Sequence, residues 1–345
     1  MSLLPYAFGV PPLRARLRMQ PEDFFVDEDL GFEPDGSGEH VFVRVEKRAA
    51  NTEWVAKQIA RFAGVAPEAV SYAGLKDRHA VTRQTYSVAL PVKRDLAWDT
   101  LLSDDFRVLD AQRHGRKLRR GALKRNRFRI VLREVAGDRA AAEARLQLIA
   151  VRGVPNYFGE QRFGRDGSNA ARAQAMFDGR RLPRHERSLL LSAARAQIFN
   201  AVLATRVQRG DWDQAMAGDV WMLDGSHSIF GPEVITAELE SRLAIGDVHA
   251  TGPLWGCGSL RSTGVAAELE VAAADMYSAL ARGLEAAGLN QERRSLRLRV
   301  QELGFAWDGD TLVVSFALPA GCYATTLLRE LAVFDLAGTD HPVQE

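Results

Sequence analysis

The chain has 345 residues, 46% of them hydrophobic and 26% charged, long enough for two domains with a sizeable core and ordinary in composition for a soluble globular protein. Its formal net charge is +1, so overall charge announces no nucleic-acid partner, and such a partner must be read from where the charge lies. Cys257 and Cys322 are the only cysteines, which excludes a disulfide framework and a cysteine-built zinc site and fits a reducing cytoplasm.

The opening stretch, MSLLPYAFGVPPL, is uncharged and broken by Pro5, Pro11 and Pro12. It lacks a basic start and a long apolar core, so it makes a poor signal peptide. No apolar run approaches ~18 residues, so no membrane span is expected. Residues 14–35 begin basic, with Arg14, Arg16 and Arg18, then turn acidic in PEDFFVDEDLGFEPDG. By residue type, Phe24 reads as a core aromatic on a strand. His40 to Glu46 alternates, with Val41, Val43 and Val45 on one face, as a half-buried strand requires. Asn51 or Thr52 then caps a helix. Trp54, Val55, Ile59 and Phe62 make its buried stripe, and Gly64 ends it.

Residues 69–90 follow. Val70 to Ala73 and Thr85 to Leu90 read as strands flanking the loop GLKDRHAVTRQ, which Gly74 opens. One carboxylate, Asp77, sits there among Lys76, Arg78, His79 and Arg83. Neighbouring positive charge favours the ionised form of a carboxylate, and loops carried on strands often hold catalytic groups. A charged loop is also commonly just a solvated one.

Residues 107–133 hold eleven cations (Arg107, Arg113, Arg116, Lys117, Arg119, Arg120, Lys124, Arg125, Arg127, Arg129 and Arg133) against one acid, Asp110. Clustered charge in a nearly neutral chain is a footprint for phosphate backbones, or a solubilising surface. The run passes into a strand in which Phe128, Ile130 and Leu132 alternate with Arg129, Val131 and Arg133. Asn126 inside it can both donate and accept hydrogen bonds, so it suits a base edge or a carboxylate. Asp138 caps a helix carrying Leu146 and Ile149. NYFGEQRFG (Asn156 to Gly164) then reads either as a nucleotide-contacting turn or as a tightly packed joint. A helix runs from about Ser188 to Gln208 and another from about Glu268 to Ala287; residues 218–264 carry no clear assignment. Leu296, Leu298 and Val300 alternate as a strand, Thr311 to Leu318 is a second apolar run, and PAGCYATTLLRE ends the pattern. Cys322 reads as a packed small residue.

Five of these stretches resemble the tRNA pseudouridine synthase D family. GLKDRHAVT is similar to its G-x-K-D-(R/K)-H-A-x-T signature, whose Asp is catalytic; the resemblance places that role on Asp77. Pro21-Glu22-Asp23-Phe24 is similar to its P-E-D-F segment, which implies that Phe24 contacts the substrate nucleotide, with Arg18 where a basic residue lies near the catalytic carboxylate. GALKRNRF is similar to G-x-L-x-x-N-x-F, which implies that Asn126 lies beside the Asp and the target base and that Phe128 packs against the site. NYFGEQRFG matches N-Y-F-G-x-Q-R-F-G. PAGCYATTLLRE resembles P-A-G-x-(F/Y)-A-T-x-x-x-R-E, which implies substrate contact by Tyr323, whose phenol adds one hydrogen bond.

The resemblance spans residues 18–330 in family order. It implies an α/β or α+β fold with a mixed, largely antiparallel sheet. A discontinuous catalytic domain (1–154 and 301–345) would carry an inserted domain (155–300) that contacts RNA. It implies isomerisation of a uridine, at position 13 in the D arm of tRNA, with no cofactor or metal, by a cytoplasmic monomer without a protein partner. Whether Asp77 attacks C1′ or C6 or abstracts a sugar proton stays open. Two other functions compete: a non-catalytic RNA-binding protein, and an Asp-based hydrolase. Glycosidases ordinarily need two carboxylates, and this loop offers one.

Overall fold

The computed structural model describes residues 4–164 and 167–334. Residues 335–345, assigned above to the catalytic part, lie outside them, as do residues 1–3 of the opening stretch. In chain order the elements begin with β1 (Leu13–Leu17), β2 (Phe24–Asp29), β3 (His40–Arg48), α1 (Thr52–Ala63), β4 (Val70–Tyr72), β5 (Val81–Ala89), β6 (Phe106–His114) and β7 (Arg125–Gly137). Next come α2 (Arg139–Arg152), β8 (Val154–Pro155), α3 (Ser168–Phe177), α4 (Arg184–Arg209), β9 (Trp221–Leu223), β10 (Ile229–Phe230), α5 (Ala237–Ile245) and β11 (Val248–Leu254). The chain closes with α6 (Gly264–Met276), α7 (Ser278–Ala286), β12 (Glu292–Ser295), β13 (Arg297–Leu298), β14 (Gln301–Asp308), β15 (Thr311–Pro319), α8 (Ala324–Leu331) and β16 (Ala332–Phe334).

Two compact units divide the chain. The sheet unit comprises residues 13–139, 301–321 and 332–334 of those described. Its sheet runs β14-β15-β7-β2-β5-β3-β6, with β1 joined at β7, β16 at β1 and β4 at β5. Only β2 with β5 and β1 with β16 pair in parallel; the rest is antiparallel. This is the mixed, largely antiparallel sheet expected. The helical unit comprises Met1–Pro12, Ala140–Val300 and Cys322–Leu331. Around α4 it gathers the strand order β10-β9-β11-β12 and the pair β13-β8.

Helix α1 shows how the local sequence builds the sheet unit. Asn51 accepts from the Glu53 amide, and Gly64 closes the helix at φ +60° with its N–H on the Ala60 and Arg61 carbonyls. Val55, Ala56, Ile59, Ala60 and Ala63 are buried and pack on Val41, Val43, Val45, Tyr86 and Val88. Trp54, expected in that stripe, is exposed and rests edge-on against Phe106 with ring centres 5.9 Å apart. The stripe runs one position further round the helix. Strand β3 is covered on both faces rather than one: Phe42 is buried with Ala73 and Leu118.

In the helical unit the helix expected from Glu268 to Ala287 is two, because Tyr277 (φ −117°, ψ 38°) breaks the run between α6 and α7. Of the strand expected at 296–300 only Arg297–Leu298 forms one, β13, and the buried Leu296 separates it from β12 before it. Residues 218–264 hold β9, β10, α5 and β11. By length and composition α4 would cross a bilayer, contrary to the sequence expectation. Half of its apolar window is nevertheless buried within the protein, as befits a core helix, and it buries Asn200 and Arg206.

Candidate active site

The loop between β4 and β5 is short because β5 starts early. Val81, Thr82 and Arg83 already pair with Phe25, Val26 and Asp27 of β2, so the strand begins four residues before the expected Thr85. Residues 73–80 remain as the loop, and buried polar groups tie it down from below. Thr52, the first residue of α1, accepts from the Lys76 amide at 3.1 Å and donates to Gln84 Oε1 at 3.0 Å. Gln84 Nε2 donates to the Gly74 carbonyl at 3.2 Å. Lys76 turns inward to Glu28 Oε1 at 2.5 Å, and Glu28 also accepts from the Thr85 amide at 3.0 Å. The side chains of that ion pair are 6% and 0% exposed. Lys47, buried on β3, donates to the Ala50 carbonyl at 2.7 Å and to the Asp77 carbonyl at 3.0 Å.

Asp77 thus has its backbone fixed while its carboxylate reaches the edge of the unit, 21% exposed. Oδ1 accepts from the His79 amide at 3.0 Å, and Oδ2 is ion-paired with Arg18. Arg18 follows β1 at φ +61°, a left-handed conformation that costs a residue with a Cβ about 1–2 kcal/mol. The following turn is pinned by Asp23, which accepts from the Gln20 amide at 3.1 Å and from Arg133 at 2.8 Å. From there the Arg18 guanidinium lies over the Phe24 ring, 4.4 Å from its centre. Strain of this kind persists where the surroundings over-determine it, commonly at functional sites.

Sheet register brings the remaining predicted residues of this unit onto one face. Lys47 pairs with Thr82, Thr82 with Val26, Val26 with Phe128 and Phe128 with Phe316. One step along, Glu28 pairs with Asn126 and Asn126 with Leu318. Phe24 meets Phe128 edge-on at 6.2 Å, and Phe128 stacks on Phe316 at 5.2 Å. Phe24 and Phe128 are buried, so both are core aromatics. Asn126 Oδ1, Thr82 Oγ1 and Arg18 Nε are buried without a hydrogen-bond partner among the described residues. Buried polar atoms are ordinarily satisfied, so this face has hydrogen-bonding capacity in reserve.

The cations that surround Asp77 in sequence are not those that meet its carboxylate. Lys76 serves Glu28; Arg83, on the opposite face of β5, binds Glu46 at 2.7 Å; Arg78 and the His79 side chain are exposed. The cation on the carboxylate comes from Arg18, 59 residues away. The basic run is likewise thinned by pairing: Arg107 binds Glu46, Arg125 and Arg127 bind Asp29 and Glu302, and Arg133 binds Asp23. Arg113 binds Asp95 and several carbonyls, and Arg120 lies over Tyr72. Exposed and without an acidic partner among the described residues are Arg116, Lys117, Arg119, Arg120 and Lys124, in the turn from β6 to β7, and Arg129 on β7.

Tyr323 belongs to the helical unit. Its hydroxyl accepts from Arg162 at 2.8 Å, so the extra hydrogen bond of the phenol is made within the protein. Gly159 runs so close that a Cβ there would lie 3.4 Å from the Tyr323 ring and 3.1 Å from Thr325 Oγ1. Asn200 brackets Phe158, accepting from its amide at 2.9 Å and donating to its carbonyl at 3.0 Å. Arg294 covers the Phe158 ring at 4.3 Å and donates to Asn156 Oδ1 at 2.6 Å. Tyr157, Phe158 and Phe163 are buried in this core, so in the NYFGEQRFG segment the packing reading describes the aromatic faces. Burial pushes the Cys322 thiol up from its usual range, as suits a packed residue.

Lys47, Glu28, Thr52 and Gln84 escaped the sequence reading. The available signal was a polar residue on the inward side of an alternating strand: Lys47 continues the Val41-Val43-Val45 face.

A family model for tRNA pseudouridine synthase D matches residues 1–179 and 166–331. A tRNA pseudouridine synthase D of Xanthomonas euvesicatoria is 54% identical, over 98% of this chain and 96% of its own length. That of Aeromonas salmonicida is 52% identical over 96% and 94%. A solved structure from Methanosarcina mazei, described as a candidate tRNA pseudouridine synthase D, shares the fold. Its TM-score is 0.74 at 22% identity, with 94% of this chain and 95% of that one covered. The family model and these relatives define an isomerase of the pseudouridine synthase class. Within that class, the chain belongs to the tRNA pseudouridine synthase D family.

Proposed function

We propose that Asp77 is the catalytic carboxylate of this tRNA pseudouridine synthase, acting on a uridine at position 13 in the D arm. The reaction breaks the N1–C1′ bond, turns the uracil, and joins C5 to C1′. The C5 hydrogen leaves as a proton and N1 gains one, so atoms and charge balance without an oxidant or a donor group. The observation that carries the reading is the Arg18–Asp77 ion pair, built on a strained residue and set over Phe24.

The chain's own groups divide the work. Arg18 holds the Asp77 carboxylate in place, while its flat guanidinium offers a base a stacking surface. Asn126 offers an unpaired acceptor for the imide N–H of uracil. Phe24 and Phe128 keep water from the reacting bond, and Tyr323 contributes a further substrate contact. Turning a base out of a folded arm costs a few kcal/mol, and stacking returns ~1–3 kcal/mol of it. Residues 155–300 supply RNA contacts as the inserted domain. The enzyme works as a monomer in the cytoplasm, needing neither a membrane nor a protein partner.

The test uses tRNA labelled with tritium at uridine C5, incubated with purified protein and nothing else. Tritium released to water, together with pseudouridine at position 13, is the expected outcome. Intact label after many enzyme equivalents, or product at another position alone, would defeat the reading.

A further inference from the structure

We infer that Lys47 is a positioning residue for the reaction, acting through the Asp77 backbone and needed in its ammonium form. Three observations converge on it. Lys47 is fully buried on β3, at the end of a face otherwise made of Val41, Val43 and Val45. It makes no salt bridge among the described residues; its donors go to two carbonyls, Ala50 at 2.7 Å and Asp77 at 3.0 Å. Those carbonyls sit at the two ends of the site: Ala50 just before α1 and Asp77 within the loop. One ammonium therefore ties the helix start to the backbone of the reacting residue. Arg18 fixes the carboxylate from the other side.

The environment makes this clamp titratable. Burial lowers the Lys47 ammonium to about 8, the Asp77 charge opposing that shift and Lys76 adding to it. Its register partners on the neighbouring strands are uncharged: Thr82 on β5 and Phe106 on β6. Glu28 is taken by Lys76, and Arg18 by Asp77. Loss of the proton turns two charge-assisted bonds into ordinary ones of roughly half the strength, and the Asp77 backbone loosens.

Rate and stability then respond to pH in opposite senses. The folded value lies below the ordinary 10.5, so between about 8 and 10.5 the unfolded chain holds more protons than the folded one. The Lys47 contribution to stability therefore rises with pH across that window. A turnover that falls while the fold does not weaken is what a merely structural lysine would not produce.

This inference rests on Asp77 as the catalytic group. The experiment is a single-turnover pH–rate profile from 6.5 to 9.5 on wild type and Lys47→Met, with tRNA affinity and the urea midpoint measured at each pH. Wild type is expected to lose rate through a step near pH 8, with affinity within about twofold and no fall in midpoint. Lys47→Met is expected to be slower at pH 7 by on the order of 10²-fold, the loss a misplacement of about 1 Å produces, and to lack the step. If that variant unfolds, Lys47→Arg, whose cation does not titrate in this range, is read for the same missing step. A flat wild-type profile overturns the inference without any variant, as does a step that survives at position 47 as Met or Arg. An active Asp77→Asn would instead remove the reading of Asp77, so the two failures are separable.

Discussion

Arg18 offers a prediction in which strain and chemistry separate. Replacing it by Gly removes the ion pair to Asp77, a partly exposed contact with side chains 27% and 21% accessible. A hydrogen bond to a charged group is worth ~1.5–3 kcal/mol, discounted toward the lower end by solvent. The stack on Phe24 adds ~0.5–1 kcal/mol. Against this, the φ of +61° ceases to be strained in Gly, returning about 1–2 kcal/mol. Arg18→Gly is thus expected to lower stability by only roughly 1 kcal/mol, whereas Arg18→Ala keeps the strain and loses about 1–2 kcal/mol more. Turnover does not follow that order. Both variants leave Asp77 without its partner cation, and both should lose roughly 10- to 100-fold, the equivalent of ~1.4–2.8 kcal/mol of barrier. Urea unfolding and single-turnover tritium release measure the two quantities. Ala at least as stable as Gly, or either variant within threefold of wild-type turnover, would refute the reasoning.

Three further outcomes are expected. Replacing Arg116, Arg119 and Lys124 together by Ala should lower the slope of log affinity against log salt by about 2–3, with the rate at saturating tRNA unchanged. An unchanged salt slope would move the RNA footprint elsewhere. Lys76→Met strands Glu28 as a buried charge and should cost ~3–5 kcal/mol in urea unfolding, most of it recovered when Glu28 is also made apolar; a cost below ~1 kcal/mol would show that the pair is not buried in solution. Burial raises Glu330 above its ordinary 4.5 against the pull of Arg329 and two backbone amides, those of Ala7 and Phe8. The folded state therefore holds the extra proton just above pH 4.5, and stability should fall as pH rises through that window. Glu330→Gln should flatten the slope there in urea midpoints, and an unaltered slope would contradict the assignment.

What sequence revealed and what it hid have physical causes. Alternation along β3, a cap at Asn51 or Thr52 and the Gly64 stop of α1 are local signals, so they are readable from the sequence, and the structure chooses Asn51. The loop around Asp77, the strand bearing Asn126 and Phe128, and the turn bearing Tyr323 were found because contiguous residues carried the resemblance. The cation on Asp77 came from the resemblance, which pointed to Arg18, and not from the loop's own charges, because proximity along the chain is a poor guide once a strand alternates: Arg83 points away from Thr82 and Gln84, and Arg18 arrives from 59 residues off. The buried supports Lys47, Glu28 and Gln84 look like surface residues by type; only register places them inside. The size of the free basic surface was overstated for a related reason. Arg125, Arg127 and Arg133 spend their charge on acids brought across the sheet.

Substituting Asp77 by Asn preserves its shape and backbone hydrogen bonds while deleting the charge. With wild-type and variant protein on the same tritiated tRNA, the account predicts a loss in pseudouridine formation of more than roughly 10³-fold, at a tRNA affinity unchanged within about threefold. An Asp77→Asn enzyme that turned over within tenfold of wild type would contradict it.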